Sequence, residues 1–259
     1  MANAIMSPEL VCGIALAGVV LGIAIGATGI GGVLLVPILT LALGIDVKRA
    51  IAATLLSYVP SCLVAVVLYA RRGSIPWREA SLLCLASVPA AWLGARAAAH
   101  APATLLEAAI GALLLAGGLY ALRTPRIAPA QRIALAPATL LGLGGSTGFV
   151  SAMTGAGGAF MLLPLLLLLD TPVLAAIGLG QAIAMPIAGL ASLVNFAAGL
   201  VDLRLAAGLA VALAAGIAIG TPIAHALPQQ RLRRLLGLVV ALAGTAMLLR
   251  TTARLLGVA

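Results

Sequence analysis

The residues of this chain best suited to bind a ligand are small and neutral, and they occur twice: Thr28-Gly29-Ile30-Gly31-Gly32 and Thr154-Gly155-Ala156-Gly157-Gly158. Gly29, Gly31 and Gly32 free the backbone to leave helical geometry. Irregular backbone at membrane depth survives only where it is buried in protein or lines a wet cavity. A helix restarting after such a break aims unpaired N–H groups and its positive dipole end at that cavity, which suits an anion. Thr28 and Thr154 add hydroxyl donors. Thr54 and Ser57 follow in the next apolar run, ahead of Pro60, while Gln181 precedes Pro186 and Asn195 lies further along. Gln181 and Asn195 are costly in lipid unless they meet partners or water. The candidate substrate-binding set is therefore Thr28, Gly29, Gly31, Gly32, Thr54, Ser57, Thr154, Gly155, Gly157, Gly158, Gln181 and Asn195. A packing role competes throughout. Gly18, Gly22 and Gly26 form a small-residue stripe that the first motif would merely continue, and Gln181 would equally serve as a bond between helices.

Those motifs sit in a chain that cannot cover itself with polar surface. Of its 259 residues 63% are hydrophobic and 8% charged, against about 45–50% and roughly 25% in a soluble domain. The expected fold class is an all-α polytopic membrane protein. The net charge of +9 collects at the ends of apolar runs, at Lys48-Arg49, Arg71-Arg72, Arg123, Arg126 and Arg132, and Arg231, Arg233 and Arg234. That pattern marks topology and headgroup contact rather than nucleic acid. Cys12, Cys62 and Cys84 lie within apolar runs without disulfide or metal spacing. His100 and His225 have no acidic partners near them in sequence, so no cofactor, metal or enzymatic activity is expected. Met1 to Glu9 lacks the positive stretch of a secretory signal, so the first hydrophobic segment is expected to be retained.

The two motifs are 126 positions apart, and the spacing holds along the chain. Ala50-Ile51 falls on Ala176-Ile177, Pro60 on Pro186, Gly73 on Gly199, Arg78 on Arg204 and Gly94 on Gly220. The expected organisation is a first membrane repeat over 1–122, a polar linker over 123–132 and a second repeat over 133–259. Each repeat opens with a long apolar segment, Leu10–Ile45 or Ile133–Leu169, whose weak centre lies at Gly26–Gly32 or Gly142–Gly158. Three ordinary spans follow in each half, since a crossing takes ~20 residues. The long segment is either one broken span, giving parallel halves, or a re-entrant hairpin of two short helices, giving inverted ones. The hairpin places nine arginines on one face and five basic residues on the other with Arg96 set aside, and the broken span places nine and six. The hairpin is the preferred reading, because half-helices of ~15 residues suit a re-entrant pair.

The Thr-Gly-x-Gly-Gly segment, its repeat, and the pair Gly73-Ser-Ile-Pro-Trp-Arg78 and Gly199-Leu-Val-Asp-Leu-Arg204 resemble the TauE/SafE sulfite exporter family, over about Leu10 to Leu249. The resemblance implies a multi-pass permease of the bacterial inner (plasma) membrane for small sulfur-containing or carboxylate anions such as sulfite or sulfoacetate. Its partners would be that anion and the bilayer, and exposed small-residue faces would permit a homodimer.

The acidic residues Asp46, Glu79, Glu107, Asp170 and Asp202 map to loops or span ends, so none is placed as a midplane proton carrier. Export of an anion from a negative-inside cell needs none. At roughly 150 mV one negative charge gains about 3.5 kcal/mol, scaling from ~2.3 kcal/mol per 100 mV. The leading expectation is a secondary transporter with alternating access around the two Thr-Gly breaks. An anion channel of the same architecture and a non-transporting membrane assembly protein are the alternatives.

Overall fold

Lipid offers the backbone no partner, so each segment must bond to itself, and every regular element among the described residues is helical. The structure, a computed structural model, describes residues 8–123, 135–226 and 229–255, with the side chains at 8–12, 229–235 and 255 outside that description. Most of the expected linker, with Arg126 and Arg132, lies outside the described residues, as do the side chains of Cys12, Arg231, Arg233 and Arg234.

The chain order is α1 (Pro8–Thr28), a tight 3-10 turn (Gly31–Leu34), α2 (Leu35–Pro37) and a wide π turn (Ile38–Ala42). There follow α3 (Val47–Arg71), α4 (Trp77–His100), α5 (Ala103–Arg123), α6 (Pro137–Thr154) and α7 (Gly158–Leu168). The last three are α8 (Val173–Ala197), α9 (Leu203–Ala226) and α10 (Gln229–Leu255). Among the described residues six helices are long and apolar enough to cross a bilayer: α3, α4, α5, α8, α9 and the Leu236–Arg254 part of α10. The bounds of α3 and α8, and those of α4 and α9, differ by 126 at both ends. Asp46 caps α3 by accepting from the Lys48 and Arg49 N–H groups, and Asp202 accepts from those of Arg204 and Leu205 at the start of α9. Each cap satisfies donors that a helix start leaves open.

The second long segment departs from expectation. The run from Gly142 to Gly148 does not weaken the helix: α6 is continuous to Thr154, and the chain departs from it only at 155–157. Gly144 and Gly148 instead seat α6 against the backbone of α4 at Leu83 and Ser87. The half-helices expected at ~15 residues are uneven, with 18 residues in α6 and 11 in α7 of the second segment and 21 in α1 of the first.

Polar contacts sort the helix ends into two faces. Lys48 Nζ donates to the Ala99 carbonyl at 2.9 Å and Arg254 pairs with Glu107 at 2.7 Å. The starts of α3 and α5 thus share a face with the ends of α4 and α10, the Lys48 face. On the opposite side Ser74 Oγ meets His225 Nε2 at 3.3 Å, and Gly178 lies against Ser74 and Ile75. That Ser74 face joins the α3–α4 turn, the end of α9 and the start of α8.

Glycines set the closest helix approaches. Gly18 lies against Ala212, Gly22 against Leu213 and Gly216, and Gly26 against Ile217 and Thr221, so α1 and α9 run side by side in one direction. Gly144 at Leu83 and Gly148 at Ser87 align α6 with α4 in the same way. By contrast Gly111 meets Leu248, Gly118 meets Ala241 and Gly237 meets Ala121, so α5 and α10 are antiparallel. Backbones this close leave no room for side chains, which is how small residues stabilise helix pairs where lipid removes the hydrophobic driving force.

A Cβ on Gly220 would sit 2.2 Å from the Ile23 carbonyl oxygen, whereas one on Gly208 meets nothing within 4 Å. Gly220→Leu should therefore lower stability by about 1–3 kcal/mol through overpacking, seen as an earlier thermal unfolding transition in detergent. Gly208→Ala should leave that transition in place or raise it slightly.

Candidate functional site

Both breaks are built from glycine in conformations that other residues avoid. Gly29 has φ +74° and donates its N–H to the Ile25 carbonyl, closing the end of α1. Gly155, at φ +69°, does the same for α6 by donating to Ser151. Gly157 precedes α7 with φ +75° and ψ 138°, a region essentially reserved for glycine. The threonines finish the same ends. Thr28 Oγ1 donates to the Ala24 carbonyl at 2.8 Å and accepts from the Ile30 N–H, while Thr154 Oγ1 donates to Val150 at 2.7 Å.

The two breaks meet. Tyr58, at the middle of α3, donates its hydroxyl to the Gly32 carbonyl and lays its ring over Gly157. Gly29 lies against Ala159 and Ile177 from the second half of the chain. Between them is a small cavity of about 20 Å³ lined by Ile25, Gly29, Gly32, Tyr58, Cys62, Ala156, Gly157, Ala159, Phe160, Gln181 and Ala184. Among the described residues no acidic or basic side chain lines it. Its polar character comes from the Tyr58 hydroxyl, the Gln181 amide and the start of α7, where Gly157, just before the helix, and Ala159, within its first turn, are among the lining residues. The opening N–H groups of a helix have no partner within it and carry its positive dipole end. Gln181, almost fully buried, also donates to the Ile25 carbonyl at 3.4 Å, a long bond that ties α8 to α1.

The expected site residues therefore divide. Gly29, Gly32, Gly157 and Gln181 come together at the cavity. Gly31 packs on Leu21 and Ala24 of α1, Gly158 on Ile183, and Gly155 near Val36 and Ile51. Thr28 and Thr154 border the breaks with hydroxyls bonded to their own helices. Ser57 Oγ donates to the Thr54 carbonyl, and Thr54 and Asn195, both buried, lie away from the cavity lining. Sequence reasoning missed Tyr58, Cys62 and Phe160. A signal for Tyr58 existed: its counterpart 126 positions on is Ala184, which also lines the cavity, and only three tyrosines occur in the chain. The stripe of Gly18, Gly22 and Gly26 is a packing surface, as its spacing suggested.

The model of the sulfite exporter TauE/SafE family matches residues 14–247. The chain belongs to that family of membrane transporters. No curated protein and no solved structure matches it.

Tyr58→Phe removes one hydroxyl and leaves the buried Gly32 carbonyl without that donor, at a cost of about 1–3 kcal/mol. The expected result is a folded protein with a lowered unfolding temperature. An unchanged melting curve would show that the clasp between the breaks rests on the ring alone.

Proposed function

We propose that the chain, as a TauE/SafE family member, exports a small sulfur-containing oxyanion such as sulfite or sulfoacetate, or a related carboxylate, across a bacterial-type inner membrane. The site is the cavity between the two Thr-Gly-x-Gly-Gly breaks, and access alternates between the two faces around it. The observation that carries this reading is the meeting of both breaks at one neutral cavity that the N-terminus of α7 faces. A small anion placed there would be held by neutral donors: backbone N–H groups of α7, the Gln181 amide and the Tyr58 hydroxyl. Such donors offset part of the anion's lost hydration without cancelling its charge. The membrane potential then acts on the loaded carrier, at about 2.3 kcal/mol per elementary charge per 100 mV.

The same reading takes the halves as inverted repeats whose opening segments are re-entrant hairpins. It is supported by the antiparallel run of α5 and α10, which occupy equivalent positions at the 126-residue spacing. It is supported also by the return of the first segment: Gly31 packs back on α1, and the Thr40 carbonyl accepts from Arg250 near the Lys48-face end of α10. Inverted repeats give two equivalent closures, one per face, which is the symmetry alternating access requires. The surplus of arginine that the sequence puts at the Ser74 face supports a cytoplasmic orientation for that face.

In proteoliposomes, saturable sulfite flux should follow the sign of an imposed potassium-diffusion potential. Gln181→Leu should reduce that flux at least about tenfold, the loss of one charge-assisted hydrogen bond, in protein whose unfolding profile is retained. Flux indifferent to voltage would eliminate the electrogenic mechanism. Thiol labelling of single cysteines in the 44–46 and 72–74 loops should report opposite sides, and labelling from one side would refute the hairpin arrangement.

A further inference from the structure

Among the described residues six buried side-chain polar atoms have no hydrogen-bond partner within the protein: Thr54 Oγ1, Glu107 Oε2, Thr147 Oγ1, Ser151 Oγ, Ser192 Oγ and Asn195 Nδ2. Glu107 is accounted for by its ion pair with Arg254 through the other oxygen, and Thr147 lies near mid-depth on α6. The remaining four are all hydrogen-bond donors, and they share one half of the membrane thickness. Thr54 is seven residues into α3 from the Lys48 face. Ser192 and Asn195 are five and two residues from Ala197, where α8 reaches that face. Ser151 is on the last turn of α6, whose following Gly155 lies against Ile51 of α3. The three helices pack on one another, α3 with α8 and both with α6.

The other half of the thickness is different. The counterparts 126 positions away are Gly180 for Thr54, Ile25 for Ser151, Val66 for Ser192 and Tyr69 for Asn195. Three carry no polar side-chain atom, and the fourth is satisfied, because Tyr69 donates its hydroxyl to the Gly26 carbonyl at 2.8 Å. Two halves of the thickness thus differ in the unpartnered donors they bury. Donors buried without protein partners persist in folded proteins where water or a ligand meets them.

We propose that α3, α6 and α8 enclose a hydrated vestibule running from the Lys48 face toward the cavity. Thr54, Ser151, Ser192 and Asn195 solvate a small oxyanion in transit there, while the Ser74-face half is dry and forms the closed gate. The four side chains are neutral donors, which hold an anion less tightly than a cation would, so they pass it without trapping it. This rests on the transport reading for its purpose, but the asymmetry itself is independent of substrate, direction and topology.

The test uses full-length protein with Cys12, Cys62 and Cys84 replaced by alanine, carrying one added cysteine: Thr54→Cys, Ser192→Cys or, in the opposite half, Ala65→Cys. Ala65 is fully buried and six residues from Arg71, a depth comparable to that of Thr54. In detergent, where both faces are open to reagent, the anionic sulfonatoethyl methanethiosulfonate should modify the thiols introduced at positions 54 and 192 at least about tenfold faster than the one at position 65, since reaction requires an accessible thiolate. The cationic trimethylammonioethyl reagent, with each rate normalised to a free thiol, should show a smaller difference. Equal rates at all three sites, or faster cationic than anionic labelling at 54 and 192, would overturn the vestibule. Asn195→Cys replaces either variant that fails to give a monodisperse protein. Absence of sulfite flux would sink the transport reading while leaving these labelling rates unaffected.

Discussion

Backbone that leaves the helix inside a bilayer has to be enclosed, and the rest of this architecture follows from that requirement. Each unpaired N–H or carbonyl facing hydrocarbon is heavily penalised, so neither break could exist alone in lipid. The chain solves this by placing the breaks against each other. Tyr58 supplies a donor to one and a ring to the other, and Gln181 ties the opposing helix back to α1. Binding capacity and enclosure are therefore one feature: the groups that would recognise an anion are those that must be shielded from lipid.

Enclosure in turn requires close helices. The glycines of α1, α6 and α9 bring backbones within reach of one another, with the approaches at Gly216 and Gly220 too tight for any side chain. This crowding explains why alanine and glycine dominate a chain with so few aromatics. It also gives the first helix of each half its partner in the other half, α1 on α9 and α6 on α4. The two halves are interlocked rather than laid side by side, so a relative movement of one carries part of the other.

Charge is kept out of the middle and used at the edges. Asp46 and Asp202 cap helices at the Lys48 face, Arg250 reaches the carbonyl that the wide turn at Thr40 presents, and Arg254 neutralises a buried Glu107. Arg96 is exposed and stacks over Trp92, 4.7 Å from its ring centre, the snorkelling arrangement that long cationic side chains adopt near span ends. On the proposed reading, a neutral centre between charged rims leaves the membrane potential, rather than a fixed counter-ion, to set the direction of an anion.

The sequence by itself determined the class, the family resemblance, the six ordinary spans and the positions of the two breaks. Each of these depends on local composition: apolar runs of sufficient length, and glycine where φ must be positive. The 126-residue spacing read from its motifs reappears in the bounds of α3 and α8 and of α4 and α9. Only the tertiary structure decided which motif residues face the cavity. Gly29 and Gly32 face it whereas Gly31 packs on α1, since the rotation of a short turn is set by what it rests on. Thr28 and Thr154 show the same limit: a threonine hydroxyl can bond its own helix or a ligand, and spacing does not choose between them. The continuity of α6 through Gly142–Gly148 was hidden for the opposite reason. Gly142 and Gly145 meet nothing within 4 Å, but Gly144 and Gly148 lean on α4, and a glycine held between two helices strengthens the segment that its propensity alone would weaken.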